Sequence, residues 1–189
     1  MAKRYPPLVL SPEEIAYLVS NPLPMGQSFH PQSQATAIAI ILAESGGNVY
    51  ALNDVPPDES YGLAQINMRG QLGPERRARY NLASNEDLYK ADLNVAIMAH
   101  LSGAGSDFRP WTVWLTKAYV SHLGTAQKAL KNPKNPTGRL QSPEEIAAGN
   151  DPFERLLKWA GQGTLRIAGF VGGGILVLLA IVFYVRGVK

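Results

Sequence analysis

The sequence feature that most constrains the fold is a run of 19 residues without a charged side chain, residues 167–185. At about 1.5 Å per residue, a helix over this run would be about 28 Å long, close to the hydrocarbon thickness of a bilayer. Arg166 and Arg186 flank the run, and Gly169 and Gly173 have the spacing of a helix-pairing face. The sequence therefore predicts a membrane-active helix here, with packing inside a protein assembly as the alternative.

The rest of the chain has the composition of a globular domain. With 46% hydrophobic and 17% charged residues over 189 positions, the chain can bury a core, which excludes global disorder. The absence of cysteine from the sequence excludes a disulfide scaffold, a thiolate nucleophile and a cysteine-based zinc site. Residues 1–130 hold 10 basic and 11 acidic side chains, whereas residues 131–189 hold 8 and 4. The basic excess belongs to the C-terminal part, and we predict no nucleic-acid partner.

A stretch rich in Pro, Asn and Lys, K-N-P-K-N-P-T-G-R at residues 131–139, separates these two kinds of sequence. Beyond it lies a short amphipathic piece at residues 152–160. We therefore divide the chain into a globular domain at 1–130, a linker with an amphipathic segment at 131–165, and the hydrophobic helix at 166–189.

Helix signals dominate the globular domain. Ser11 and Glu14 form a Ser-x-x-Glu capping box in front of an apolar stretch, which predicts the start of a helix. The pair Gly46-Gly47 should end the next helix. The predicted fold is mainly α with a short β element. Its expected elements are a helix from Ser11, helices over 32–45, 86–102 and 111–131, and an extended stretch over 61–66.

Glu44 is a charged residue at the end of an apolar helix. Residues 35–43 before it are apolar apart from Thr36, so the carboxyl group lies close to a buried face. Burial and the negative end of the helix dipole both favour the protonated acid. A carboxylic acid that stays protonated near neutral pH can act as general acid on a glycosidic oxygen. The alternative for Glu44 alone is a partly exposed side chain that hydrogen-bonds the following loop.

A second motif begins at Tyr61, 17 residues after Glu44. Tyr61-Gly62 would let the backbone approach a flat substrate, and Gln65 and Asn67 offer amide groups for hydrogen bonds. Neutral amides and aromatic faces suit one wall of a sugar-binding cleft.

Together, E-S-G-G-N at 44–48 and Y-G-L-A-Q-I-N at 61–67 resemble the lytic transglycosylase and goose-type lysozyme superfamily, over about residues 30–125. The resemblance implies a lysozyme-like α+β domain that cleaves peptidoglycan between N-acetylmuramic acid and N-acetylglucosamine, usually leaving a 1,6-anhydro product. It makes Glu44 the catalytic acid/base. The residues it assigns to orienting the acid or binding the glycan are Ser45, Tyr61, Gly62, Gln65, Asn67 and Tyr119. Tyr119 comes from an Ala-Tyr pair that is followed here by Val120, where the family often has Asn.

The residues leave two chemistries open. An inverting hydrolase needs a second carboxylate about 6.5–9.5 Å from the acid, and Asp54, Asp58 and Glu59 are candidates. A transglycosylase needs none, because the C6 hydroxyl of the sugar itself attacks. The resemblance favours transglycosylation.

We expect no metal or organic cofactor, because the three histidines are scattered and lack the spacing of metal ligands. The remaining distinctive residues are given structural interpretations. Arg76, Arg77 and Arg79 are taken as a solvated loop face, and core packing is favoured for Trp111, Trp114 and Asn94.

A wall-degrading activity and a hydrophobic tail also suggest where the protein works. Residues 1–10 lack the apolar core of a signal peptide, because Pro6 and Pro7 interrupt it. A bacteriophage particle reconciles these features, since it is packaged in the cytoplasm and reaches the wall from outside.

We therefore expect a virion protein that is delivered to the host cell envelope and opens the cell wall during genome ejection. Its expected partners are peptidoglycan, membrane lipid through residues 167–185, and other virion proteins or a second copy. The alternatives are a structural ejection protein whose lysozyme-like domain is secondary or inactive, and a cellular membrane-bound transglycosylase.

Overall fold

The computed structural model describes residues 4–21, 23–136 and 140, all within a compact unit that spans residues 1–144. The amphipathic segment and the hydrophobic helix expected at 166–189 lie outside the described residues. Among the residues that are described, no helix is long and apolar enough to cross a membrane.

The described part is mainly helical with one small antiparallel sheet, which confirms the predicted fold class. The α-helices are α1 (Pro12–Ser20), α2 (Gln34–Ser45), α3 (Leu72–Tyr80), α4 (Ala91–Leu101), α5 (Thr112–Leu115) and α6 (Leu123–Ala129). The strands are β1 (Leu52–Asn53), β2 (Ser60–Tyr61) and β3 (Ile66–Asn67). Short 3-10 helices cover Pro24–Gly26, Pro31–Ser33, Asn85–Tyr89 and Ala118–His122.

Helix α1 begins with the predicted capping box. The Ser11 hydroxyl accepts a hydrogen bond from the Glu14 backbone N–H, and the Glu14 carboxylate accepts one of 2.8 Å from the Ser11 backbone N–H. Each partner satisfies an N–H that the first helical turn would otherwise leave unpaired. The apolar side of α1, with Ile15 and Val19 fully buried, packs against α2.

Helix α2 lies at the centre of the core, with residues 37–41 fully buried. It is apolar on nearly all sides and packs against α1, α6 and the 3-10 helix at 118–122. As predicted, Gly46 ends the helix in the left-handed conformation, with φ of 61°. Glu44 therefore lies in the last turn of α2, where the helix leaves the core and comes beside the sheet.

The sheet has the order β1-β2-β3, with Tyr61 opposite Leu52 on one side and Ile66 on the other. The single extended stretch expected over 61–66 is therefore wrong in detail. These residues belong to a hairpin in which a turn from Gly62 to Gln65 connects β2 and β3, and both of these residues have positive φ angles.

Two of the predicted helices are interrupted. The helix expected over 86–102 is a 3-10 helix followed by α4, with Lys90 extended between them. The helix expected over 111–131 breaks at Lys117, which has φ of 63°, and consists of α5, the 3-10 helix at 118–122 and α6. Leu115, which comes shortly before this break, is 61% exposed.

Helix α3 was not predicted, and its arginines are not on a loop. Arg76 is half-buried and donates a hydrogen bond to the backbone carbonyl of Asn67, while Arg77 donates to the side-chain carbonyl of Asn85. Helix α3 has few apolar residues and hence no clear 3.6-residue pattern, which explains why the sequence did not indicate it.

Candidate active site

A cleft of about 580 Å³ lies between the end of α2, the sheet and the N-terminal segment. A volume of this size can accommodate a small ligand or part of a polymer. The residues that line it are Arg4, Tyr5, Pro7, Glu44, Ser45, Asn48, Tyr50, Ala51, Leu52, Asn53, Asp58 and Gln65.

Glu44 is half-buried in the last turn of α2, on the wall of this cleft. Burial raises the pKa of its carboxyl group, and the negative charge of Asp58 raises it further. A hydrogen bond from the backbone of Val113 acts in the opposite direction, but the pKa remains above that of an ordinary glutamate. The cleft thus holds a carboxylic acid suited to proton donation.

Asp58 is the second carboxyl group of the cleft, and four donors hold it in place. The Asn53 and Asn67 side-chain amides donate to it over 2.9 and 3.0 Å. The Ser60 hydroxyl and the Glu59 backbone N–H donate over 2.6 and 2.8 Å. A carboxyl group that accepts this many hydrogen bonds is fixed in position.

Asp54 and Glu59, the other two candidates for a second carboxylate, do not line the cleft. Asp54 forms an ion pair with Arg4. Glu59 accepts hydrogen bonds from the Tyr61 hydroxyl and the Asn85 side chain. Of the three candidates, only Asp58 lies beside Glu44.

Ser45 and Gln65 line the cleft with Glu44. The Ser45 hydroxyl donates to the Ile41 carbonyl and accepts from the Gly47 N–H, so it caps the end of α2. The Gln65 amide nitrogen donates to the Ala51 and Gly62 carbonyls, over 3.1 and 3.0 Å. This uses both N–H donors of Gln65, so its side-chain oxygen is the atom that can accept a hydrogen bond from a sugar hydroxyl.

Tyr61 and Gly62 were predicted to contact the substrate, but both lie behind the cleft wall. Tyr61 is 2% exposed, and its ring packs against Tyr89. The buried Asn94 amide donates to the carbonyls of Tyr61 and Leu88, as its predicted core position allows. The structure gives Tyr61 and Gly62 packing roles in the wall.

Asn67 also acts through a neighbour. Its side-chain nitrogen donates to Asp58, its side-chain oxygen accepts from the Arg69 backbone N–H, and its backbone carbonyl accepts from Arg76. Asn67 therefore positions Asp58, and α3 supports this arrangement from behind.

Tyr119 does not line this cleft. It is 8% exposed, and its ring stacks on Trp114 with 4.9 Å between ring centroids. The Lys117 ammonium lies 4.5 Å from the centroid of Trp114. Trp111 is buried, and its indole N–H donates to the Ala64 carbonyl over 2.8 Å, in line with the expected core role.

Sequence reasoning missed five lining side chains that are polar or aromatic, and one of them carried a signal. Asn48 is the last residue of the E-S-G-G-N motif, so its position could have been inferred. The other four carried no signal, and three of them have contacts that are distant along the chain, whereas Asn53 contacts the nearby Asp58. They are Arg4, Tyr5, Tyr50 and Asn53.

The cleft offers carboxyl, amide and hydroxyl groups and one guanidinium. Within the described part of the chain, no three metal-ligating side chains come close enough together to hold a metal ion. A half-buried acid with a raised pKa suits proton donation to a glycan, and Asp58 and Gln65 line the same cleft.

Comparison with known proteins points the same way. Residues 24–113 match the family model described as a lysozyme like domain. No curated protein and no solved structure matches the chain significantly. The matched segment contains Glu44, the whole sheet and Asp58, and the match supports the assignment of this segment to the lysozyme and transglycosylase superfamily.

Proposed function

We propose that this protein is a peptidoglycan lytic transglycosylase and that Glu44 is its single general acid/base. The lysozyme-like domain supports a glycosidase-type enzyme that acts on peptidoglycan. The observation that carries the finer proposal is the environment of Glu44, which is half-buried on a cleft wall and has a raised pKa. These are the properties required of an acid that protonates a leaving sugar oxygen.

The proposed reaction has two proton transfers through the same side chain. Protonated Glu44 gives its proton to the oxygen between N-acetylmuramic acid and N-acetylglucosamine as the bond from C1 to that oxygen breaks. The Glu44 carboxylate then takes the proton of the C6 hydroxyl, whose oxygen bonds to C1. The products are a 1,6-anhydromuramic end and a new non-reducing end, with no water consumed.

The other lining groups have supporting roles in this proposal. The Gln65 side-chain oxygen accepts a hydrogen bond from a sugar hydroxyl, and the Ser45 hydroxyl keeps the end of α2, and with it Glu44, in position. Asp58 adds to the rise in the pKa of Glu44 that burial causes.

Hydrolysis is the second candidate, because Asp58 is a fixed carboxylate in the same cleft as Glu44. In an inverting hydrolase, such a group activates the attacking water. The two reactions therefore differ in what they require of Asp58 and in their products.

We expect digestion of purified peptidoglycan by the full chain to give anhydromuramic ends, measured by mass spectrometry. Asp58→Asn should retain much of the activity, because transglycosylation needs no water-activating base. Since removal of the Asp58 charge lowers the pKa of Glu44, and activity is lost as pH rises through that pKa, the alkaline limb of the pH profile should move to lower pH.

Reducing ends together with an inactive Asp58→Asn enzyme would replace the transglycosylase proposal with hydrolysis. No cleavage of any peptidoglycan by the wild-type chain would refute both chemistries.

We further propose that the protein acts from a bacteriophage particle, with residues 167–185 inserting into a membrane while the domain cleaves the adjacent wall. The basis is the combination of a peptidoglycan-directed domain with an uncharged apolar segment in one chain. Detection of the chain in purified virions would support this setting. Its absence from them would favour the cellular membrane-bound enzyme.

The membrane part of the proposal has its own test. The full chain should float with liposomes in a density gradient, whereas a chain ending at residue 160 should stay at the bottom, because burial of an apolar helix in lipid is strongly favourable. Full-length protein that ignores liposomes would instead indicate that the segment packs within a protein assembly.

A further inference from the structure

The N-terminal segment, residues 4–10, lies outside the family match but forms part of the cleft. It runs alongside the loop that follows α2, and backbone hydrogen bonds fix it there. The Leu8 carbonyl accepts from the Val49 N–H over 2.8 Å, and the Leu10 N–H donates to the Gly47 carbonyl over 2.9 Å. The segment is therefore held on the same loop that follows the candidate acid.

The side chain of Tyr5 fixes this segment against the rest of the domain. Its hydroxyl donates to the Glu86 carboxylate over 3.0 Å. Its ring contacts Tyr50 and Tyr89 with centroid distances of 5.4 and 5.5 Å. Tyr5 and Tyr50 both line the cleft, and these contacts hold the partly exposed Tyr5 ring in place as a preformed surface for a sugar.

Arg4 gives the wall a positive charge. Among the residues that line the cleft it is the one cation, and the carboxyl groups of Glu44 and Asp58 line the same cleft. Its side chain is 67% exposed, and one terminal nitrogen donates to Asp54. A guanidinium has five N–H donors arranged as a fork, so a second carboxylate can bind on its exposed side.

We propose that Arg4 and Tyr5 form a subsite for a sugar unit that bears a carboxylate, with Arg4 binding the carboxylate and Tyr5 the sugar ring. The assignment rests on the proposed function, since it concerns the glycan that this cleft would cleave. The negative charge of Asp58 in the cleft repels an acidic polymer unless a cation offsets the repulsion, and Arg4 lines the same cleft.

The carboxylate can come from two parts of peptidoglycan. One is the lactyl group of muramic acid, which is free where the peptide stem has been removed. The other is the peptide stem itself. Both present a planar anion that an arginine binds through two parallel hydrogen bonds.

The test compares Arg4→Gln with Asp54→Asn in the full chain, using three substrates. These are stem-free glycan strands, stem-bearing strands, and stem-free strands whose carboxyl groups have been converted to amides. We expect Arg4→Gln to raise KM about 10-fold on acidic strands, with kcat nearly unchanged, as loss of one charged hydrogen-bonding partner should do. On the amidated strands Arg4→Gln and wild type should have the same KM.

Asp54→Asn serves as the matched control. It breaks the same ion pair but leaves the Arg4 cation in place, so KM on acidic strands should not rise. An increase only on stem-bearing strands would identify the stem as the source of the carboxylate, and an increase on stem-free strands would identify the lactyl group.

Equal changes in both variants, or a change that persists on amidated strands, would overturn the subsite, because Arg4 would then only tether the segment. Calorimetric binding of uncleaved strands to the full chain separates this result from failure of the proposed function. If the wild type cleaves nothing but Arg4→Gln binds the acidic strands about 10-fold more weakly than the wild type, the subsite is supported and the proposed reaction is refuted. If wild type cleaves and Arg4→Gln matches it on all strands, the subsite alone is refuted.

Discussion

Glu44→Gln should lower the rate of glycan cleavage by the full chain about 10²–10⁴-fold. The amide has nearly the same shape as the acid but cannot donate a proton to the glycosidic oxygen. The measurement is the initial rate of release of soluble fragments from purified peptidoglycan. Gln65→Ala, which removes one hydrogen bond to a sugar, should cost much less.

The Glu44→Gln substitution should not reduce the stability of the fold. The pKa of Glu44 is raised, so the ionised carboxyl group at neutral pH is less stable in the folded protein than in the unfolded chain. Gln removes that cost, and the free energy of unfolding at pH 7 should therefore not fall. Glu75→Gln, the same change on the exposed face of α3, is the control and should keep full activity. Retention of more than a few per cent of activity by Glu44→Gln would refute the assignment of the acid.

Gly62→Ala should destabilise the protein strongly, with a loss of about 3–5 kcal/mol in the free energy of unfolding. Gly62 has φ of 76°, and a Cβ atom there would lie 2.3 Å from both the Leu88 carbonyl oxygen and the Asn94 side-chain nitrogen. These neighbours are held by the hydrogen bond between them, so they cannot easily move aside.

Gly70→Ala is the matched control for backbone strain. Gly70 also has a positive φ, of 58°, but a Cβ atom would meet nothing within 4 Å. It should therefore lose only about 1–2 kcal/mol, the cost of the left-handed conformation. Urea denaturation of the two variants measures the difference. Equal losses of unfolding free energy in the two variants would show that the close approach of Gly62 to α4 does not add to the cost of the Gly62→Ala substitution.

The sequence predicted the elements whose signals are local. The capping box at Ser11 and the left-handed end of α2 at Gly46 each depend on residues within a few positions of one another. For the same reason, the position of Glu44 at the end of a buried helix could be inferred from its neighbours alone. The membership of Glu44, Ser45 and Gln65 in one cleft required the motif resemblance as well.

The sequence-based predictions are wrong where tertiary contacts determine the local conformation or the direction of a side chain. Lys117 adopts a left-handed conformation in an apolar stretch that reads as one continuous helix, and the break places Trp114 against Tyr119. Asp54, Asp58 and Glu59 are close in sequence, but the direction of each side chain depends on partners elsewhere, such as Arg4 and Asn67. No pattern in the sequence between the two motifs distinguishes these three carboxylates.

Helices α1 and α6 lie outside the segment that the lysozyme-like family model matches, yet both pack against α2 and against each other. Ile15 and Val19 from one, and Ala126 and Ala129 from the other, are buried in the shared core. A gene fragment limited to residues 24–113 would therefore leave the central helix with two uncovered apolar sides. The unit that can be exchanged between proteins by recombination is consequently longer than the unit that sequence similarity detects.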